Sequence, residues 1–279
     1  MPGEPGTRGT PSVDALRRRA LAVRRDIVGM LKMARAGSLL PPFSAVDILV
    51  WLYGGILKVC SEAPLEPERD RFVLSRASAA PALYAVLAER GFFERDELWG
   101  YGRLGSLLQG TPEPRRTPGV DVSCGAPGMG VGIALGLALA LKDCRPGANV
   151  CCLLGAEELR AGSTWESLDR ALASPPANLT LIVEHARVPE KVGDAFGSPE
   201  LASRLSSLGC DVRCADGHDY DSLTEAWASL SKDRLRVVLA CTVRGKGLPP
   251  LREGVLNDTS ILDHQTTELL LRSLEAVSS

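Results

Sequence analysis

The chain has 279 residues, 45% of them hydrophobic and 24% charged, with a formal net charge of -2. That length can bury one large core, and its interspersed acids and bases offer no basic field to a polyanion, so nucleic acid is not an expected partner. The longest apolar stretch, "VGIALGLALALK", is too short and too Gly-rich to cross a bilayer, so no membrane is expected either.

Residues 1–12, "MPGEPGTRGTPS", lack bulky apolar side chains and the apolar core of a signal peptide. They predict a disordered tail on a cytoplasmic protein, followed by one domain over 13–279. From Val13 to Met33 apolar residues recur at helical spacing beside a basic face, read as a solvated helix surface. "SAVDILVWLYGGIL" (Ser44–Leu57) predicts a second helix, capped by Ser44 with Asp47 at the capping-box position. "DRFVLS" (Asp70–Ser75) predicts a strand, and Ala79–Gly91 a helix closed by its glycine. A Gly- and Pro-rich connection then runs from about Leu98 to Gly119, long enough to suggest function or mobility.

Beyond Gly119 the alternation becomes regular. Helix Gly128–Lys142, strand Val150–Leu154, helix Thr164–Ala173 and strand Leu179–Glu184 come first. Helix Pro199–Leu208, strand Cys210–Cys214, helix Ser222–Leu230, strand Val237–Thr242 and a closing helix "HQTTELLLRSLEAV" follow. Alternating strands and helices imply an α/β fold, a parallel sheet sandwiched between helices. Eight cysteines are scattered, most of them in apolar runs. Cys210 and Cys214 have no second pair at zinc spacing, and on one strand both thiols would share a face, which is ordinary packing.

The segment "SCGAPGMGVGIALG" (Ser123–Gly136) leads into a helix. Such a junction can bind phosphate through free N–H groups and the helix dipole, or can serve close packing of helix on sheet; both readings stay open. A dinucleotide site is discarded, because no acidic residue closes the next strand.

Taken in order, "SAVDIL", "DRFVLSRASAAPALYAVLAERGFF", "LGSLLQGTPEPRRTPGVDVSCGAPGMGVGIALGLALA", "DGHD" and "CTVRGKG" resemble the N-terminal, diphosphate-binding domain of transketolase. The resemblance covers nearly the whole chain from about Val13 and implies the thiamine diphosphate-binding fold. It lacks the pyrimidine and C-terminal domains of a full transketolase, so it looks like the N-terminal subunit of a split enzyme. That implies a C-terminal partner subunit carrying the pyrimidine domain, in a homodimer or heterotetramer.

The resemblance also implies a site, and residue by residue this chain departs from it. Family members hold Mg²⁺ or Ca²⁺ on the cofactor's diphosphate through an aspartate and an asparagine. In "GAEE" and "EHAR" those positions are Ala156 and Ala186, which have no oxygen ligands for a hard cation. Three family histidines fall on Ser38, Ser78 and Thr111, and the glutamate of a Glu-Gly pair falls on Ala161. Glu158 and Glu166 keep the family's residue types, while Glu157 replaces a glycine whose turn could need a positive φ. The histidines that remain do not restore the set. His218 is read as structural, His185 as facing solvent, and His264 matches loosely.

Two readings follow from the resemblance. In one the chain is a non-catalytic or repurposed subunit with no metal and no cofactor of its own. In the other it is an active transketolase-type transferase with an altered, metal-poor cradle for thiamine diphosphate. That cradle would use Gly128, Gly130, Gly155, Glu157 and Glu158, with Arg160, Arg187 or Lys246 neutralising the diphosphate.

Overall fold

The computed structural model describes residues 11–37, 39–187, 198–248 and 262–276. Five parallel strands form one sheet: β1 (Arg71–Leu74), β2 (Val150–Gly155), β3 (Leu179–Arg187), β4 (Asp211–Asp216) and β5 (Arg236–Val243). Their spatial order is β1-β2-β3-β5-β4. Strand residues alternate between two cores, Phe72, Leu74, Cys151 and Leu153 on one face and Val73, Val150, Cys152 and Leu154 on the other. Both faces are covered, which is why the strands read as unbroken apolar runs.

The helices divide according to the direction in which the chain travels. On the second face lie α4 (Met129–Cys144), α5 (Gly162–Ala173) and α6 (Ser198–Ser207), the connections that carry the chain from β1 towards β4. The step from β4 back to β5 reverses direction, and its helix α7 (Tyr220–Ala228) lies on the first face. A right-handed crossover requires that change of face when the direction reverses. The first face also holds α1 (Val13–Ala34), α2 (Leu40–Trp51), α3 (Ala80–Glu89) and α8 (His264–Ala276). Leaving their strand ends, β1 turns to the first face and β2 to the second, which opens a crevice between them.

Several expectations need correction. Ser44 does not cap α2: the helix starts at Leu40 with Pro41 and Pro42 in its first turn, and the Ser44 hydroxyl donates to the Pro41 carbonyl at 3.0 Å. Proline is tolerated there because its missing N–H has no partner to lose. Asp47 is buried instead of capping, and Arg24, on the basic face of α1, is buried with it in a two-bond pair at 3.1 and 2.7 Å. Ser12 does cap α1, its hydroxyl accepting from Ala15 N–H at 3.3 Å. His185 is buried within β3 and does not face solvent. The connection after Leu98 is packed, with Leu98, Tyr101, Leu108 and Val120 in the core. Cys210 is buried just before β4 while Cys214 is exposed, and the described residues contain no cluster of three metal-binding side chains. No described helix is long and apolar enough to cross a membrane.

Candidate active site

The crevice is built from the C-terminal ends of β1, β2 and β3 and the N-terminus of α4. Register places Leu74 beside Leu153 and Gly155 beside Glu184, so the residues that follow β1 and β2 meet Glu184 of β3. Glu158 ties three of these elements together. Its carboxylate accepts from the Ser75 hydroxyl at 2.5 Å, Gly128 N–H at 2.9 Å and Gly155 N–H at 3.0 Å. It is 2% exposed, so these donors take the place of its water.

Glycines make this closeness possible. Gly128 sits at φ 86, and a Cβ there would lie 2.5 Å from that of Ala161. At Gly130 an added Cβ would meet the Ser75 Cβ at 2.2 Å. Of the two roles open to this glycine-rich helix start, phosphate binding or close packing, the packing role is realised. The first donors of α4 are already used: Gly128 N–H by Glu158, Met129 N–H by the Ala126 carbonyl, and Gly130 N–H by the Ser75 hydroxyl.

Arg76, just after β1 and two residues before Ser78, also belongs to the site. Its Nη1 donates to Glu184 at 2.7 Å, and its Nε lies 3.1 Å from Glu157 and 3.3 Å from the Ser78 hydroxyl. Thr242 of β5 donates to the other oxygen of Glu184 at 3.1 Å. Burial alone would lower the Arg76 pKa, but Glu184, Glu157 and Glu158 together hold it above its ordinary value. The available signal was its place in "SRAS", two residues before the family-histidine position Ser78, while its acidic partners need the strand order to be seen.

The remaining residues are scattered more widely. Ala156 is half-buried and packs against the α4/α5 core, and Ala186 is half-buried opposite Thr242. Glu157 lies in a 3-10 turn without a positive φ, so the backbone objection to glutamate there does not hold. Ser78 is exposed beside Arg76, and Thr111 lies over Gly125, 3.8 Å from where its Cβ would be. Ser38 is outside the described residues. Glu166 is exposed on α5, and Arg160 is exposed at the end of its turn.

Two expected cations line other clefts. Arg187 borders a cleft of about 320 Å³ with Cys214 and Asp216, and Lys246 one of about 550 Å³ with Arg24, Asp47 and His218. In the second cleft His218 is locked as a strut: Nδ1 faces Asp47 at 2.6 Å and Nε2 accepts from Val243 N–H at 2.8 Å. His264 is exposed at the start of α8, 3.7 Å from Glu268.

Residues 13–271 match the family model described as transketolase, thiamine diphosphate binding domain. The chain belongs to the transketolase family. It is 32% identical over 242 residues to one of the named subunits of apulose-4-phosphate transketolase from Actinobacillus succinogenes, covering 85% of this chain and 87% of that one. Against human transketolase it is 33% identical over 212 residues, 74% of this chain but 33% of the relative. The transketolase structure from Campylobacter jejuni superposes with a TM-score of 0.84 at 26% identity, over 95% of this chain and 43% of that one. The chain therefore spans most of the bacterial subunit it matches, but only about a third of a full-length transketolase.

The family's metal-bound diphosphate does not fit the crevice as it stands. The two positions at which the resemblance places metal ligands carry methyl groups, and a guanidinium, a poor neighbour for a divalent cation, is paired across the crevice with Glu157 and Glu184.

Proposed function

We propose that this chain is the diphosphate-domain subunit of a split transketolase-like assembly, lacking the family's metal site and completed by a separate subunit with a pyrimidine domain. The observation that carries the reading is the pair Ala156 and Ala186 beside the Arg76–Glu157–Glu184 ion network. Hard cations take oxygen ligands, and the crevice offers a buried arginine instead. The partner is supported by length: the relatives that this chain spans nearly whole are themselves named as single subunits of apulose-4-phosphate transketolase. A face prepared for cover is present on α4, where Met129 is 49% and Leu139 40% exposed. All eight cysteines are free thiols, which suits a reducing cytoplasm.

The retained frame of Gly128, Gly130 and Glu158 favours a second reading, in which a complexed enzyme transfers two-carbon ketol units with thiamine diphosphate held without metal. One experiment separates the two. The chain is co-expressed with a candidate pyrimidine-domain subunit, sized by light scattering and titrated calorimetrically with thiamine diphosphate, with and without Mg²⁺. The proposal expects a heterotetramer and no metal-dependent heat. Ketol transfer by the complex in EDTA supports the second reading. Micromolar, Mg²⁺-dependent binding, or a chain that stays monomeric with its partner, overturns the proposal.

A further inference from the structure

We infer that Arg236 and Thr180 hold a small monovalent anion of the chloride class, within the first face of the sheet and at the opposite end from the crevice. The inference does not rest on the proposed function.

Phe72, Cys151, Thr180, Arg236 and Asp211 form one rung across the sheet, each in register with the next from β1 to β4. Register partners on neighbouring strands project to the same face, here the first. Thr180 is fully buried and Arg236 is 8% exposed. Arg236 Nε donates to the Leu179 carbonyl at 3.2 Å, which lays the guanidinium back over β3. Its buried Nη2 and the Thr180 hydroxyl have no hydrogen-bond partner among the described residues.

A buried guanidinium needs a counter-charge, and the acids nearby are already used. Asp211, its register partner, faces Arg213 at 3.0 Å and accepts from Ser231 N–H at 2.6 Å. Asp70, whose charge reaches the Cys151 thiol, accepts from the Lys58 and Asn149 N–H groups at 2.8 and 2.7 Å. The helices packed against β5 from this face bring no further acid. On α7 the buried residues are Tyr220, Leu223 and Ala226, while Asp221 and Glu225 are exposed. Asp47 of α2 is paired with Arg24. Burial therefore draws the Arg236 pKa below its ordinary value, and among the described residues only the Cys151 thiol offsets it.

What this rung gathers is donors: the Arg236 Nη2–H, the Thr180 hydroxyl and the Cys151 thiol, which burial keeps protonated. Water would satisfy the bonds but leave the charge unbalanced. A carboxylate or phosphate would bring more acceptor oxygens than these donors can serve. A halide supplies one charge and accepts from any direction.

The test is thermal unfolding of the full chain, followed by circular dichroism, with sodium chloride exchanged for sodium gluconate at constant ionic strength. Raising chloride from about 10 to about 300 mM should raise Tm by about 3 °C. Arg236→Met keeps much of the apolar bulk without the charge and should lose this shift. Thr180→Val keeps the shape without the hydroxyl and should weaken chloride several-fold. The width of the chloride NMR line reads binding directly, so Thr180→Val decides the matter even where Arg236→Met does not fold. A Tm that does not respond to the exchange would overturn the inference, as would an equal rise with orthophosphate in place of chloride. So would a chloride shift retained in folded Arg236→Met, or a chloride line broadened as much by Thr180→Val as by the unaltered chain.

Discussion

Glu158→Ala tests whether one buried carboxylate holds the crevice together. The substitution leaves Gly128 N–H, Gly155 N–H and the Ser75 hydroxyl without the acceptor they share at 2.5 to 3.0 Å. Each buried donor left unpaired costs roughly 1–3 kcal/mol, while removing the buried charge returns part of its desolvation cost. The net loss should be about 3 kcal/mol, a fall in Tm of roughly 6–12 °C for a chain of this size. Glu158→Gln should fall between, because its amide keeps one acceptor oxygen and turns a donor towards another donor. Urea unfolding followed by circular dichroism, read at constant m-value, gives the three stabilities. If Glu158→Ala lies within about 0.5 kcal/mol of the unaltered chain, the carboxylate does not tie these elements together.

Two further outcomes are expected. Asp47 loses water on burial, which would raise its pKa, but Arg24 and His218 overcome this and lower it from 3.8 to about 2. Because the folded value is the lower one, its contribution is complete above about pH 4 and disappears as pH falls through about 2. Acid titration of stability should show a loss of about 2 kcal/mol in that window, absent in Asp47→Asn. Restoring Ala156→Asp and Ala186→Asn should yield no Mg²⁺-dependent binding of thiamine diphosphate by calorimetry while Glu157 remains. Adding Glu157→Gly should produce it, and equal failure of both would show that the crevice differs from the family's in more than these three side chains.

The strands and most of their covering helices were legible in the sequence, because a sheet buried on both faces leaves continuous apolar runs such as "VCCLL" and "VVLAC". The start of α2 was not. Pro41–Pro42 reads as a break, yet prolines in a first turn lose no hydrogen bond, and Ser44 satisfies itself within the helix. The burial of Arg24 is hidden for a different reason. Its position on a basic helix face is local information, whereas Asp47 lies 23 residues away and Lys246, whose carbonyl it also reaches, 222. The place of the candidate site was legible, since the motifs that resemble the family's fall at the ends of β1, β2 and β3. The Arg76–Glu184 pairing was not legible, because these residues are 108 apart in sequence and meet only through β2 between them.

That pairing sets the charge balance of the crevice. A crevice lined by Glu157, Glu158 and Glu184 gathers negative charge that needs donors or counter-charge to balance it. For Glu184, fully buried, an unpaired carboxylate would cost several kcal/mol. Here every one of these carboxylates has a donor or a counter-charge. Buried side-chain atoms left without a partner among the described residues include ones of Arg19, Arg69, Asn178, Thr180 and Arg236, none of them in the crevice. Without Arg76, Glu184 would keep only the Thr242 hydroxyl, so the guanidinium is what balances this buried carboxylate.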